Sequence, residues 1–120
     1  KMQGNFTLIC ACNGQWYGGS FHPSPDAVPD DGLLDFVIVK GVSRLTVANL
    51  VGKYASGRGK EYPDLILVRR GKCLKVKCDR MSMVNLDGER IDADSLSFAV
   101  SAKKIRFLVP EGASWPGMKE

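Results

Sequence analysis

Three short segments of this 120-residue chain hold residue types that can do chemistry. The last in chain order is Asn85-Leu86-Asp87-Gly88-Glu89. An Asp-Gly pair between two β-prone runs signals a hairpin, because the turn that matches strand twist needs positive φ at both central residues. Such a turn presents two carboxylates, Asp87 and Glu89, at a sheet edge, where paired acids can orient a hydroxyl and a metal ion. As a hairpin alone it needs no function. The second segment, residues 25–35, reads Pro-Asp-Ala-Val-Pro-Asp-Asp-Gly-Leu-Leu-Asp. Carboxylates beside a glycine turn, with main-chain carbonyls nearby, suit a hard cation held through oxygen. The same Asp-Asp-Gly is also ordinary turn chemistry before a strand. The third segment is Asn13-Gly14-Gln15-Trp16-Tyr17-Gly18-Gly19. Its glycines allow positive φ and close backbone approach, and a plain β-turn explains them equally well.

Elements must position these segments. Residues 6–12 are short, apolar and β-prone, and predict a buried strand, as do residues 33–40. Between them, Pro23, Pro25, Pro29 and Gly32 exclude helix and favour an irregular loop. The period then changes. Ser43 can cap a helix, and Leu45, Ala48, Leu50, Val51, Tyr54 and Ala55 follow near helical spacing before Gly57 and Gly59 end it. This predicts one helix over 43–57. Strands are expected at 64–69 and 73–78 with Gly71 as their hairpin turn, then at 81–86, 90–91, 96–100 and 105–109. Short strands with turns at regular spacing imply a mainly β fold, an antiparallel β-sandwich with one inserted α-helix. Residues 111–120, with Gly, Pro and charge, are expected to fray.

The totals, 44% hydrophobic and 25% charged, are those of an ordinary globular domain. No apolar run approaches the ~20 residues that span a bilayer. The first residues lack a signal-peptide pattern, and the abrupt start reads as a cut from something longer. The net charge of +4 is unevenly spread: residues 26–35 hold four carboxylates and no Lys or Arg, whereas residues 53–80 hold nine Lys or Arg against Glu61, Asp64 and Asp79. A basic stretch attracts phosphate, nucleic acid or an anionic membrane face, and it is also how a solvated strand pair looks. The cysteines, Cys10, Cys12, Cys73 and Cys78, lack zinc-site spacing, and His22 has no partner motif. In a strand, Cys10 and Cys12 share one face and pack as small core residues. No disulfide is required, which fits a reducing compartment.

In order and spacing, though not singly, the motifs carry a resemblance. Asn-Gly-x-aromatic-aromatic-Gly-Gly, then Pro-x-Ala-x-x-x-Asp-Gly-x-Leu-Asp, then Asp-Gly-Glu, together with the helix at 43–57, resemble the C-terminal half of the diacylglycerol kinase catalytic family in its bacterial lipid kinase branch. The likeness covers residues 4–110. One departure is Gly18-Gly19-Ser20 where relatives often have three glycines. The resemblance implies a two-domain enzyme, related to sphingosine and ceramide kinases, with its active site in the cleft between domains. The N-terminal domain binds nucleotide through a Gly-Gly-Asp-Gly-Thr-type motif, which these 120 residues lack. Residues 1–110 are then the C-terminal β-sandwich domain, and the isolated chain is expected to be inactive.

By the same resemblance, the enzyme transfers the γ-phosphoryl of ATP to a lipid hydroxyl such as that of diacylglycerol. Asp87 and Glu89 are the acids that orient or deprotonate that hydroxyl and help hold the catalytic Mg²⁺. Asp31, through its carboxylate, and Val28 and Leu33, through backbone carbonyls, hold a structural Mg²⁺. ATP is bound mainly by the missing domain, and the residues that bind the lipid are not identified. The expected partners are the lipid, an anionic membrane surface and the N-terminal domain. No nucleic acid is expected, a homo-oligomer is allowed, and the location is cytoplasmic and peripheral at the membrane. Two other functions fit the residues: a nucleic-acid-binding β-barrel using the basic stretch with Trp16, Tyr17 and Phe21 as stacking platforms, and a catalytically silent structural module.

Overall fold

The computed structural model describes residues 1–113. Strand β1 (Phe6–Cys12) pairs antiparallel with β2 (Leu34–Lys40), and β2 pairs antiparallel with β3 (Ile66–Gly71), so β2 is the centre of a three-stranded sheet. The run Phe36-Val37-Ile38-Val39 is buried on both faces of the sheet, with Val37 wholly inaccessible. A side chain of that kind stabilises by roughly 1.5–3 kcal/mol when fully buried. The expectation of a buried strand here is met.

Helix α1 (Arg44–Ala55) lies between β2 and β3 in the chain. It starts where the sequence says, with the Ser43 hydroxyl accepting from the Thr46 N–H at 3.2 Å. It stops at Gly57, whose φ of +78° is open to glycine at no steric cost. There the Arg58 N–H donates to the Lys53 carbonyl and the Gly57 N–H to the Tyr54 carbonyl, which closes the end as a Schellman motif. Gly59 lies past the end, in a 3₁₀ turn (Gly59–Glu61). Tyr54 packs with Val37, Val39, Cys12 and Ile66, and Cys10, Phe21 and Val68 pack against that core. These strand residues alternate along β1, β2 and β3, so α1 covers one face of the sheet.

Beyond β3 the expected strands merge. Residues 73–78 and 81–86 form one strand, β4 (Cys73–Leu86), and residues 90–91 and 96–100 form another, β5 (Glu89–Ala99). The two pair antiparallel as a separate ribbon. Asp79 and Arg80, which fall between the two expected strands, sit in a bulge: residues 78–81 of β4 lie between the pairs Lys77↔Ser95 and Ser82↔Ala93, opposite Asp94 alone. A bulge absorbs extra residues by bending the strand, so it ends neither strand. Gly71 makes no hairpin: it is the last residue of β3 and pairs with Leu34, while β4 pairs with β5. Residues 105–109, expected as a strand, form none and are exposed. The rest of the expected tail, residues 114–120, lies outside the described residues. Among the described residues the fold is mainly β, with antiparallel sheets and one α-helix, the make-up of a β-sandwich-like domain.

Candidate functional site

The Asp87–Gly88 turn closes the β4–β5 ribbon, with Leu86 paired to Glu89. Asp87 has φ +50° and Gly88 φ +105°, positive at both central positions as a two-residue hairpin demands. The Asn85 side-chain oxygen accepts from the Gly88 N–H at 2.7 Å and locks the turn. Asp87 and Glu89 are both exposed at this tip. They stand on a regular, hydrogen-bonded element, and their carboxylates face solvent.

The acidic loop is built differently. The Asp31 N–H donates to the Val28 carbonyl at 3.3 Å, and the Leu33 N–H donates to Asp31 Oδ1 at 2.8 Å. Asp31, Val28 and Leu33 are therefore drawn together by two short-range turns, with Gly32 at φ +75° between them. Their donor set is hard oxygen, which fits Mg²⁺ or Ca²⁺ in type. The other Asp31 oxygen, Oδ2, faces the Arg70 guanidinium at 3.8 Å, so one positive charge already sits beside the loop. Asp31 thus contacts Val28 through the carbonyl expected to hold an ion, and Leu33 through its N–H rather than its carbonyl. The structure sets Asp87 and Glu89 apart, at the far end of a strand that begins next to β3.

Arg70 is the residue that sequence reasoning missed. It stands opposite Asp35 across the β2–β3 pairing. Its Nε donates to Asp35 Oδ1 at 2.6 Å and its Nη2 to Asp35 Oδ2 at 3.2 Å and to the Asp26 carbonyl. Asp35 is 4% exposed and also accepts from the Ser24 hydroxyl at 2.7 Å. Burial pushes the Asp35 carboxyl up, but the hydrogen bonds from Arg70 and Ser24 and the Arg70 charge outweigh it and hold the group below the usual carboxylate range. Lys60 pairs with Asp26, and Arg58 with Glu61. Three cations of the basic stretch are therefore spent on neighbouring acids. Lys75 and Lys77 stay exposed, two residues apart on one side of β4. A cross-strand register would have revealed the Asp35–Arg70 pair, and the sequence alone gives no register between residues 35 and 70.

In the glycine-rich segment, Tyr17 and Phe21 exchange backbone hydrogen bonds at 3.0 and 3.1 Å around Gly18 and Gly19, whose φ values are +56° and +80°. Their rings stack at 5.4 Å, and Phe21 lies against Tyr54 at 6.2 Å. Trp16 stacks on His22 at 3.8 Å. Phe21 is engaged with Tyr17 and the core, whereas Trp16 stays 61% exposed on His22. Cys10 and Cys12 share the core face as expected, and no group of three or more His, Cys, Asp or Glu among the described residues is placed to hold a metal.

Comparison with known proteins places this arrangement. Residues 1–109 match the family model described as the YegS C-terminal NAD kinase beta sandwich-like domain. A probable lipid kinase YegS-like protein of Pseudomonas fluorescens is 34% identical over 99 residues, covering 82% of this chain and 32% of the relative. One of Pseudomonas aeruginosa is 33% identical over 115 residues, covering 94% of this chain and 36% of the relative. A third, from Stenotrophomonas maltophilia, is 28% identical over 110 residues. The chain spans about a third of the length of these relatives. It belongs to the YegS C-terminal, NAD-kinase β-sandwich-like domain family, the family of the YegS-like probable lipid kinases.

Proposed function

We propose that this chain is the β-sandwich part of an ATP-dependent lipid kinase and that the Asp87–Gly88 turn presents the carboxylates that position the acceptor hydroxyl, such as that of diacylglycerol. The observation that carries this reading is the tip itself: two exposed acids on a locked two-residue turn, in a chain of a lipid kinase family. Phosphoryl transfer asks little covalent work of a protein; it needs in-line geometry and a positioned acceptor. A carboxylate on a rigid turn can accept the hydroxyl proton and hold the oxygen in line. Mg²⁺, when bound, neutralises charge on the phosphates. Phe21, held between Tyr17 and Tyr54, is not free to stack a base, which favours this reading over a nucleic-acid-binding barrel. No helix among the described residues is long and apolar enough to cross a membrane. Lys75 and Lys77 supply exposed charge for anionic headgroups, at about 1 kcal/mol for each cation close to the surface.

The 120 residues contain no Gly-Gly-Asp-Gly-Thr-type nucleotide motif. The purified chain is therefore expected to show no ATP-dependent phosphorylation of diacylglycerol in mixed micelles, and the intact parent enzyme is expected to show it. Turnover by the chain alone would overturn the division of labour; no turnover of any lipid by the intact parent would overturn the kinase reading.

The acidic loop gives a separate expectation. If Asp31, Val28 and Leu33 hold a cation, millimolar Mg²⁺ raises the melting temperature, because binding to the native state alone stabilises by about 1.4 kcal/mol at tenfold over Kd. Asp31→Asn removes the effect, while Asp30→Asn retains it. A melting curve indifferent to MgCl₂ at matched ionic strength sinks the site.

A further inference from the structure

Helix α1 is apolar on both of its sides. Leu50 and Tyr54 are buried against the sheet. On the opposite side Leu45, Ala48 and Gly52 form a stripe at helical spacing, with Val51 beside it. Leu45 is 80% exposed and Val51 46%, and Ala48 and Gly52 are exposed as well. A surface helix turns charged and polar residues outward, whereas one that is apolar all round is covered all round. We propose that the outer side of α1 is a docking surface for an anionic lipid bilayer, with Leu45 and Val51 set among the headgroups and the cations at the edges of the stripe paired with lipid charge. This deepens the lipid-kinase reading and rests on it, because that reading puts the substrate in a membrane.

Charge selects the occupant. Residues 36–60 hold five Lys or Arg and no Asp or Glu. Arg58 and Lys60 pair with Glu61 and Asp26, but Lys40, Arg44 and Lys53 are in no ion pair among the described residues. Arg44 and Lys53 stand at the two edges of the stripe, about a quarter turn to either side of Gly52. Arg44 is the first residue of α1, and the first turn carries no acid. That end is the positive pole of the helix dipole, where an anion stabilises and a cation does not. A cation kept there suits an anion supplied from outside. Long basic side chains can lay their apolar stems along a lipid boundary while the charge stays at the headgroups. An apolar stripe rimmed by cations is the make-up of a helix that lies in the plane of the interface. A second copy fits less well, since two such faces would bring only cations together.

The α1 face differs in kind from the basic side of the ribbon. The cross-strand partners of Lys75 and Lys77 are Ser97 and Ser95, so that stretch offers charge without an apolar anchor. Salt screens attraction between exposed charges and leaves apolar insertion in place. The two contributions can therefore be separated by ionic strength.

The test is co-sedimentation of the chain with large unilamellar vesicles, of phosphatidylcholine alone or mixed with phosphatidylserine, at rising salt. Wild type is expected to bind the mixed vesicles and not the neutral ones. A cation close to the surface contributes about fivefold. Arg44→Gln combined with Lys53→Gln therefore weakens binding about twentyfold at low salt and converges on wild type as salt rises. Leu45→Gln weakens it about tenfold whatever the salt, part of what full burial of a leucine contributes. Leu45→Trp binds at least as tightly as wild type, because Trp favours the interface. Leu45 is exposed, so both of its variants keep the wild-type melting temperature. Equal binding to both kinds of vesicle, binding to neither, or wild-type binding by Leu45→Gln would each overturn the proposal. A dimer that forms without lipid and is lost in Leu45→Gln would overturn it too, by giving the face to a second copy. So would an intact parent in which Leu45→Gln lowers the melting temperature by several degrees and leaves vesicle binding unchanged, by giving the face to the N-terminal domain. Binding is read without ATP, so a parent that binds vesicles through this face yet phosphorylates no lipid overturns the kinase reading and keeps the surface.

Discussion

Asp87→Asn and Glu89→Gln are each expected to lower kcat of the intact lipid kinase by about 10²–10⁴-fold, the usual worth of a positioned proton-transfer group, while leaving its melting temperature almost unchanged. Both acids are exposed, and neither buries apolar surface. A surface substitution of this kind alters stability by less than about 0.5 kcal/mol. The amide is the informative replacement at 87. That residue has φ +50°, a conformation asparagine tolerates as well as aspartate and alanine does not, so Asp87→Asn removes the charge without straining the turn. Alanine there would mix a catalytic effect with a folding effect.

The kinetic split separates the roles. An acid that acts only in the transition state lowers kcat and kcat/KM together; one that merely binds the lipid raises KM and spares kcat. A turn with no catalytic role predicts wild-type turnover in both variants, with any loss traced to a lower melting temperature. Near-normal kcat in both amides, measured on folded enzyme with ATP and diacylglycerol, removes Asp87 and Glu89 from the reaction.

What the sequence made legible was local. Ser43, the spacing from Leu45 to Tyr54 and Gly57 marked α1 to within two residues at each end, because capping and glycine termination are decided by neighbours in the chain. Residues 33–40 and the Asp87–Gly88 turn were legible for the same reason. Pairing was less so. Gly71 was expected to make a hairpin, yet it closes β3 against Leu34, a neighbour remote in the chain. Strands were expected at 73–78 and 81–86 with a gap between them, yet a bulge joins them into one. Bulges and strand partners depend on tertiary pairing, which single-chain patterning does not encode.

The candidate site divides along the same line. Asp31, Val28 and Leu33 lie within one short segment, and their approach through two turns follows from Asp-Asp-Gly. Arg70 came into view only with the register of β2 and β3. In the sequence it is one of nine cations in a basic stretch that reads as a solvated face; in the fold it is the counter-ion of a buried carboxylate. The contact of Cys10 on β1 with Tyr54 on α1, at 3.2 Å, is similar, since the two come from different elements and each alone looks like ordinary core.

That counter-ion carries the largest stability effect expected here. Asp35→Asn should lower stability by about 2 kcal/mol, which for a domain near this size corresponds to roughly 10 °C in Tm. Breaking a fully buried ion pair costs about 3–5 kcal/mol; the figure is smaller here because the Arg70 side chain is 40% exposed and water can reach it once Asp35 is neutral. Ser24→Ala leaves the ion pair intact and removes one charge-assisted hydrogen bond, so its loss should be smaller, about 1 kcal/mol. The pH dependence has a definite sign. The folded carboxyl of Asp35 titrates below its unfolded value near 3.9. Its contribution is therefore fully present above about pH 4 and is lost as pH falls through the folded value. Wild type should lose Tm between pH 5 and pH 3 more steeply than Asp35→Asn, so the two melting curves converge in acid. Equal melting temperatures at pH 7, or parallel curves down to pH 3, would show that Arg70 and Ser24 do not hold Asp35 as a charged group in the core.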